Sequence, residues 1–252
     1  MADSNKRSGT AHVRSAGSRR PARKPSAAAG KPRPSKQAPL LQNDVTLTER
    51  AYAELEELIV TLQLTPGTAL SELVLAKRLG IGRTPIREAL QRLSRDGLVN
   101  ILARRGVLVS EIDLRAQLRL LEVRRELERL MARSAAERAT SEQRAQFTEI
   151  ATGMRRAAEK SDDLLFMRLD HQFNTLVAGA SRNEFASRAM GLMHGLSRRF
   201  WYQHYKEAAD LPLAARLHAE VAEAIAERRV DAAGAASDDL INYIESFARS
   251  TL

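Results

Sequence analysis

Gly80 and Pro85 stand five residues apart in "LGIGRTPIREALQRLSRDGL" (79–98), and together they leave the chain few options. Glycine readily ends a helix. Proline fits a helix only in its first turn, where the backbone N–H groups lack an intrahelical acceptor. One helix therefore stops at Gly80 and another starts near Arg83–Thr84. The second has an inward stripe of Ile86, Ala89/Leu90 and Leu93 and an outward stripe of Thr84, Arg87/Glu88, Gln91 and Arg95, which carries it to about Arg95. Ser71 is placed to cap the first, "ELVLAKRL".

The flanks extend the pattern. In "LTERAYAELEELIVTLQL" the apolar positions Ala51, Leu55, Leu58, Ile59 and Leu62 share one helix face, and "TPG" (Thr65–Gly67) stops the run. After the proline helix, two β-rich runs, Leu98–Leu102 and Val107–Ile112, surround an Arg-Arg-Gly turn and read as a hairpin. Helix, helix, glycine turn, helix, hairpin is the order of a winged helix-turn-helix. From residue 113 onward no strand-like alternation survives, and the spacing predicts six or seven helices in a bundle. The expected fold is mainly α: a winged helix-turn-helix with a small β-hairpin wing over 43–112, and an all-helical domain over 113–252.

The formal net charge of +9 belongs to the first 40 residues, which hold ten Lys/Arg and one acid, Asp3; the remaining 212 carry 30 basic and 30 acidic groups. Rich in Ala, Ser, Pro and Gly, the segment 1–42 cannot bury enough apolar surface to offset its ordering entropy and reads as a disordered basic tail. It lacks the amphipathic apolar face of an organellar transit peptide. The chain has no Cys, which excludes disulfides, thiolate metal sites and thiol catalysis. No apolar run is long enough for a bilayer span or a signal peptide, so a soluble cytoplasmic protein is expected.

Charge distribution within the body is more telling. Residues 73–110 hold eight basic groups (Lys77, Arg78, Arg83, Arg87, Arg92, Arg95, Arg104, Arg105) against Glu88 and Asp96. Glu54, Glu56 and Glu57 on the preceding helix contribute to a neutral domain with one basic face, which is what a duplex requires. Arg83 and Arg87, one turn apart, emerge at the end of a helix that a helix-turn-helix aims at base edges, where an arginine fork grips guanine or phosphate. The plainer alternative is a solvated arginine face.

"LSELVLAKRLGIGRTPIREALQRLSRDGLV" followed by "RRG" resembles the GntR family of bacterial transcription regulators over about Thr46–Ile112. The resemblance implies that Arg83, Thr84 and Arg87, with Gln91 on the same stripe, contact operator DNA. It also puts Gly106 at the wing tip, flanked by Arg104 and Arg105 as phosphate contacts. Gly82 stands where the family often has a Ser or Thr cap. Leu73 stands where some members carry an arginine that reads a base.

"LLEVRRELERLMARSAA" (120–136), "LDHQFNTLVAGASRNEF" (169–185) and "LHAEVAEAI" (217–225) are similar to the FadR-like branch, with its all-helical FCD effector domain. Many members bind a divalent metal through an Asp, a His four residues on and two later His. Here Asp170 and His218 match, Asn174 stands at the second position, and Asn242 or Tyr243 at the fourth. Asn is a poor ligand for zinc and suits Mg²⁺ or Ca²⁺ better. No cofactor is therefore demanded, and a divalent metal on Asp170, His218 and Asn174 stays open. His171 points elsewhere on its helix, His194 and His204 belong to another segment, and His12 is in the tail. The preferred reading is a metal-free polar pocket, with Arg124 holding an effector carboxylate and Asp170, Asn174, His218 and Tyr243 around it. Alternatively Arg124 simply pairs with Glu128 four residues on. The aromatic run "RRFWYQHY" (198–205) reads first as core or dimer contact and second as ligand lining.

The expected protein is a repressor acting as a homodimer on an inverted-repeat operator in double-stranded DNA. It associates with the nucleoid when bound, and its operator affinity is set by a small organic or sugar acid. An architectural DNA binder without a ligand is the first alternative. A metal-dependent enzyme on the helical domain is the second, and no activated nucleophile or phosphate loop supports it.

Overall fold

The computed structural model describes residues 46–104 and 106–251; the tail expected over 1–42 and the expected phosphate contact Arg105 lie outside the described residues. Helix α1 (Leu47–Val60) opens on a reciprocal cap. Thr46 Oγ1 accepts from the Glu49 amide at 3.1 Å, and the Glu49 carboxylate accepts from the Thr46 amide at 2.9 Å. Strand β1 (Ala69–Leu70) leads into α2 (Glu72–Leu79), capped by Ser71. Gly80 ends α2 in the left-handed region, φ +64°, where a side chain would be strained. Helix α3 (Arg83–Arg95) then starts at Gly82, with no side-chain cap bond, as the bare glycine implies.

Strands β2 (Val99–Leu102) and β3 (Gly106–Val109) pair antiparallel, Val99 opposite Val109 and Leu102 opposite Gly106. The wing differs from the expected hairpin in three ways. β1 adds a third strand, Ala69 opposite Leu108, giving the order β1-β3-β2. Gly106 is the first residue of β3 rather than part of the turn. And β3 stops at Val109 instead of Ile112, because the carbonyls of Ser110 and Glu111 are taken by Arg199 at 2.9 and 3.2 Å. Ala51, Leu55, Ile59, Ile86, Leu90, Leu93, Leu98 and Val109 form one core beneath these elements.

Six helices follow among the described residues: α4 (Leu114–Arg138), α5 (Ser141–Lys160), α6 (Asp163–Ser181), α7 (Glu184–Ala208), α8 (Leu211–Ala226) and α9 (Val230–Arg249). Five of them start on a side-chain cap, from Asp113, Thr140, Asp162, Asn183 and Asp210. Each cap is worth about 1 kcal/mol, which helps hold so many helix starts in register. α5 lies along α8, and α4 along α9. Their shared core is rich in alanine (Ala135, Ala136, Ala157, Ala215, Ala219, Ala222), so the helix axes can approach closely around the larger Phe147, Met154 and Ile225. A smaller cluster of Leu121, Phe200 and Phe247, joined by Ile112 and Leu114, packs where the chain passes from wing to α4. No helix among the described residues is long and apolar enough to cross a membrane.

Candidate functional site

Two surfaces carry the chemistry. On the first, Arg83, Thr84, Arg87 and Gln91 are all exposed along α3, and Arg104 and Gly106 are exposed on the wing. Glu72, at the start of α2, holds the pair of arginines. Its carboxylate accepts from Arg87 Nε and a terminal nitrogen, both at 2.8 Å, and from Arg83 at 3.5 Å. These bonds, from Arg87 first, hold the Glu72 carboxyl below its usual range. Both guanidinium groups are thus held on one carboxylate, and because the pairs are exposed, releasing them costs little. Arg92 is used differently: it stacks over the Tyr52 ring at 3.9 Å, while the Tyr52 hydroxyl donates to Asp96 at 2.8 Å. Leu73 is 65% exposed, an apolar side chain offered to solvent at the start of α2.

The second surface is a cavity of about 460 Å³. Its wall includes Arg124 from α4, Asp170 and Asn174 from α6, His218 from α8 and Tyr243 from α9, all five residues singled out from the sequence. Arg124 does two things at once. It is buried, donates to Glu128 at 2.6 Å, the pairing expected from the i, i+4 spacing, and to Ser197 Oγ at 2.9 Å, and it lines the cavity. Tyr243 contributes its ring. Its hydroxyl is turned to the Asp210 carbonyl at 2.9 Å, and burial pushes its pKa up to about 12.

His218 is clamped from both sides. Nδ1 meets the Ala214 carbonyl at 2.8 Å and Nε2 meets Asp170 Oδ1 at 3.1 Å, with Phe166 and Phe173 edge-on to the ring. With an oxygen on each nitrogen, the imidazolium is the form that satisfies both contacts. Burial opposes both charges, but the bond between them outweighs it: Asp170 is held below its ordinary range and His218 above. Asn174 Nδ2 also donates to Asp170 Oδ1, at 3.1 Å. For a divalent ion the donor set is short. No group of three His, Cys, Asp or Glu is placed to hold one among the described residues, and Asn174 turns its amide N–H₂ toward Asp170.

The cavity also recruits residues that the sequence reading set aside. His194, assigned to another segment, lines it from α7, and burial drags its pKa down to about 4. Ser197, Arg198, Phe200, Trp201 and Tyr202 join it, so the aromatic run is cavity wall as well as core, and Trp201 Nε1 is a buried donor without a partner among the described residues. From the head, Ala53, Glu56 and Glu57 of α1 complete one side. Burial raises the Glu56 carboxyl, with Arg198 pulling the other way. The sequence hint of α7 was the run "HGLSRR" (194–199), where Gly195 and Ser197 break up larger side chains and leave room for packing on two sides.

Residues 47–109 match the family model described as bacterial regulatory proteins, gntR family, and residues 119–243 match the FCD domain. The HTH-type transcriptional repressor RspR of Escherichia coli (strain K12) is 28% identical over 204 residues, covering 81% of this chain and 89% of RspR. The Nta operon transcriptional regulator of Aminobacter aminovorans is 27% identical over 172 residues, 68% of this chain and 80% of its own length. Among solved structures, E. coli McbR/YncC shares the fold with a TM-score of 0.72 at 20% identity, over 82% of this chain and 99% of that one.

Proposed function

The chain belongs to the gntR family of bacterial regulatory proteins, with an FCD domain behind its helix-turn-helix head, and from that premise we propose that it is a repressor released from its operator by a small organic or sugar acid. It is a DNA-binding transcriptional regulator, and with its relatives all regulators the enzyme alternative falls away. The head, 43–112, reads DNA through Arg83, Thr84, Arg87 and Gln91, with Gly106 entering the minor groove and Arg104 and Arg105 as flanking phosphate contacts. The helical domain, 113–252, takes the effector. The repressor direction draws support from the name of one relative, RspR.

One observation carries the acid reading: Arg124, Asp170, Asn174, His218 and Tyr243, spread over four helices, line the same cavity. The acid sits among them without a metal, its carboxylate on an arginine of the wall and its hydroxyls toward Asp170, Asn174 and the orphan Trp201 N–H. The protein works in the cytoplasm as a homodimer, since one recognition helix spans only a few base pairs and two related by a two-fold axis read an inverted repeat. Leu164 and Phe185, 82% and 70% exposed, are apolar surface suited to a second copy.

The test is thermal unfolding of chelator-treated protein with divalent metals crossed against organic and sugar acids, because a ligand that binds only the native state raises Tm by mass action. Acids that raise Tm without metal sustain the reading. If stabilisation by acid requires a metal, Asp170, Asn174 and His218 are ligands and the metal-free pocket is wrong. If no acid shifts Tm, the effector belongs to another chemical class.

A further inference from the structure

Helix α7 faces both the head and the cavity. Toward the head, Gly195 lets the backbone come so close that an added Cβ would lie 2.8 Å from Leu98 Cδ1 and 3.0 Å from Glu56 Oε1. Arg199 grips the carbonyls of Ser110 and Glu111. Toward the cavity, His194, Ser197 and Trp201 form wall. Arg198 does both: it lines the cavity and bonds Glu57 Oε2 of α1 at 3.1 Å.

Three cations of the cavity wall have carboxylate partners: Arg124 with Glu128, His218 with Asp170, and Arg198 with Glu57. An acid that takes one of these three must displace its carboxylate; Arg168, the remaining arginine of the wall, has no carboxylate partner among the described residues and ties nothing to the head. The side chains of Glu128 and Asp170 are only 16% and 25% exposed, so freeing either strands a carboxylate largely out of water. Glu57 is 54% exposed and turns to solvent at little cost. Of the three, it is also the only carboxylate that the head supplies.

Resting on the acid-effector reading above, we propose that Arg198 is the anchor for the effector carboxylate, and that Glu57 occupies this anchor until an acid arrives. Acid and seated head then compete for one guanidinium. Binding unties α1 from α7 while Arg199 still holds the chain at Ser110, so the head gains freedom about that point rather than detaching.

The experiment compares wild type, Glu57→Gln and Arg198→Gln by calorimetric titration with succinate, citrate and gluconate, and by hydrogen exchange of the α1 amides. Glu57→Gln lies on an exposed side chain and keeps the fold. It is expected to bind an acid about two- to five-fold tighter than wild type, the scale that an exposed pair supplies. It should also exchange faster in α1 without acid, as wild type does with acid. Arg198→Gln should lose at least ten-fold in affinity. Equal affinities for wild type and Glu57→Gln, with α1 exchange indifferent to acid, overturn the competition and leave the acid effector standing. Binding of none of the three acids to either protein overturns both.

Discussion

Helices α3 and α7 both carry arginines in close succession, and they use them in opposite directions. On α3, Arg83 and Arg87 lie in solvent, and only Glu72 pairs with them. On α7, Arg199 is 2% exposed, its guanidinium is shared among Ser110 and Glu111, and burial lowers its pKa to about 10. A guanidinium in solvent can change partners without leaving a buried group unpaired; Arg199 cannot. What an arginine does here depends less on its spacing than on what holds its fork.

The contrast breaks most directly at Arg199. Arg199→Ala leaves the buried Ser110 carbonyl and the partly buried Glu111 carbonyl without this donor, and urea unfolding should show a loss on the order of 3 kcal/mol. Arg83→Ala should stay within about 0.5 kcal/mol of wild type. Equal losses would erase the difference between the two helices. Arg87→Ala sharpens it from the other side. Fluorescence anisotropy on a selected operator fragment should register a roughly ten- to hundred-fold weaker specific complex, at nearly unchanged Tm. Specific binding that survives would mean that α3 is not the reading helix.

Acid titration tests α7 alone. His194 titrates near 6.5 in the unfolded chain and near 4 in the fold, so between those values the unfolded state binds more protons. Its contribution is complete above pH 6.5 and drains away as pH falls, by up to about 2 kcal/mol at pH 5. His218, held above its ordinary range, works in the other direction, so the readout is the difference between wild type and His194→Gln across pH 7 to 5. A variant as acid-sensitive as wild type would show that His194 is more solvated than its place in the wall implies. The smallest effect is expected at Gly82→Ser, where a hydroxyl can cap α3. The gain should be a few tenths of a kcal/mol in chemical denaturation, and a loss would mean that the cap position is already strained.

The head was readable because its boundaries obey local rules. Gly80 and Pro85 act within a turn of themselves, and α3 runs from Arg83 to Arg95 as its stripes require. Strand β1 was not readable: two residues carry no period, and Ala69–Leu70 is a strand only because β3 lies beside it. The cavity was legible in part. Asp170 and Asn174 share a face by i, i+4 spacing, the family resemblance pointed to His218 and Tyr243, and Arg124 came from the reading of a polar pocket. His194 comes 24 residues after Asp170, and only the packing of α6 and α7 around the cavity brings the two to one wall. Glu56 and Glu57 looked like charge balance for the head; that they also close a chamber formed by another part of the chain is a tertiary fact with no sequence period behind it.

That chamber wall has a consequence for dose. If α1 helps to bound the space in which an effector sits, the factor by which the effector weakens the operator complex is the factor by which bound operator weakens effector binding. With release by the effector, as proposed above, an operator that grips the head well raises the effector concentration needed to clear it, and a weaker operator is cleared sooner. One regulator then answers a single metabolite at different thresholds along the chromosome, with the order of response written in the operators rather than in the protein.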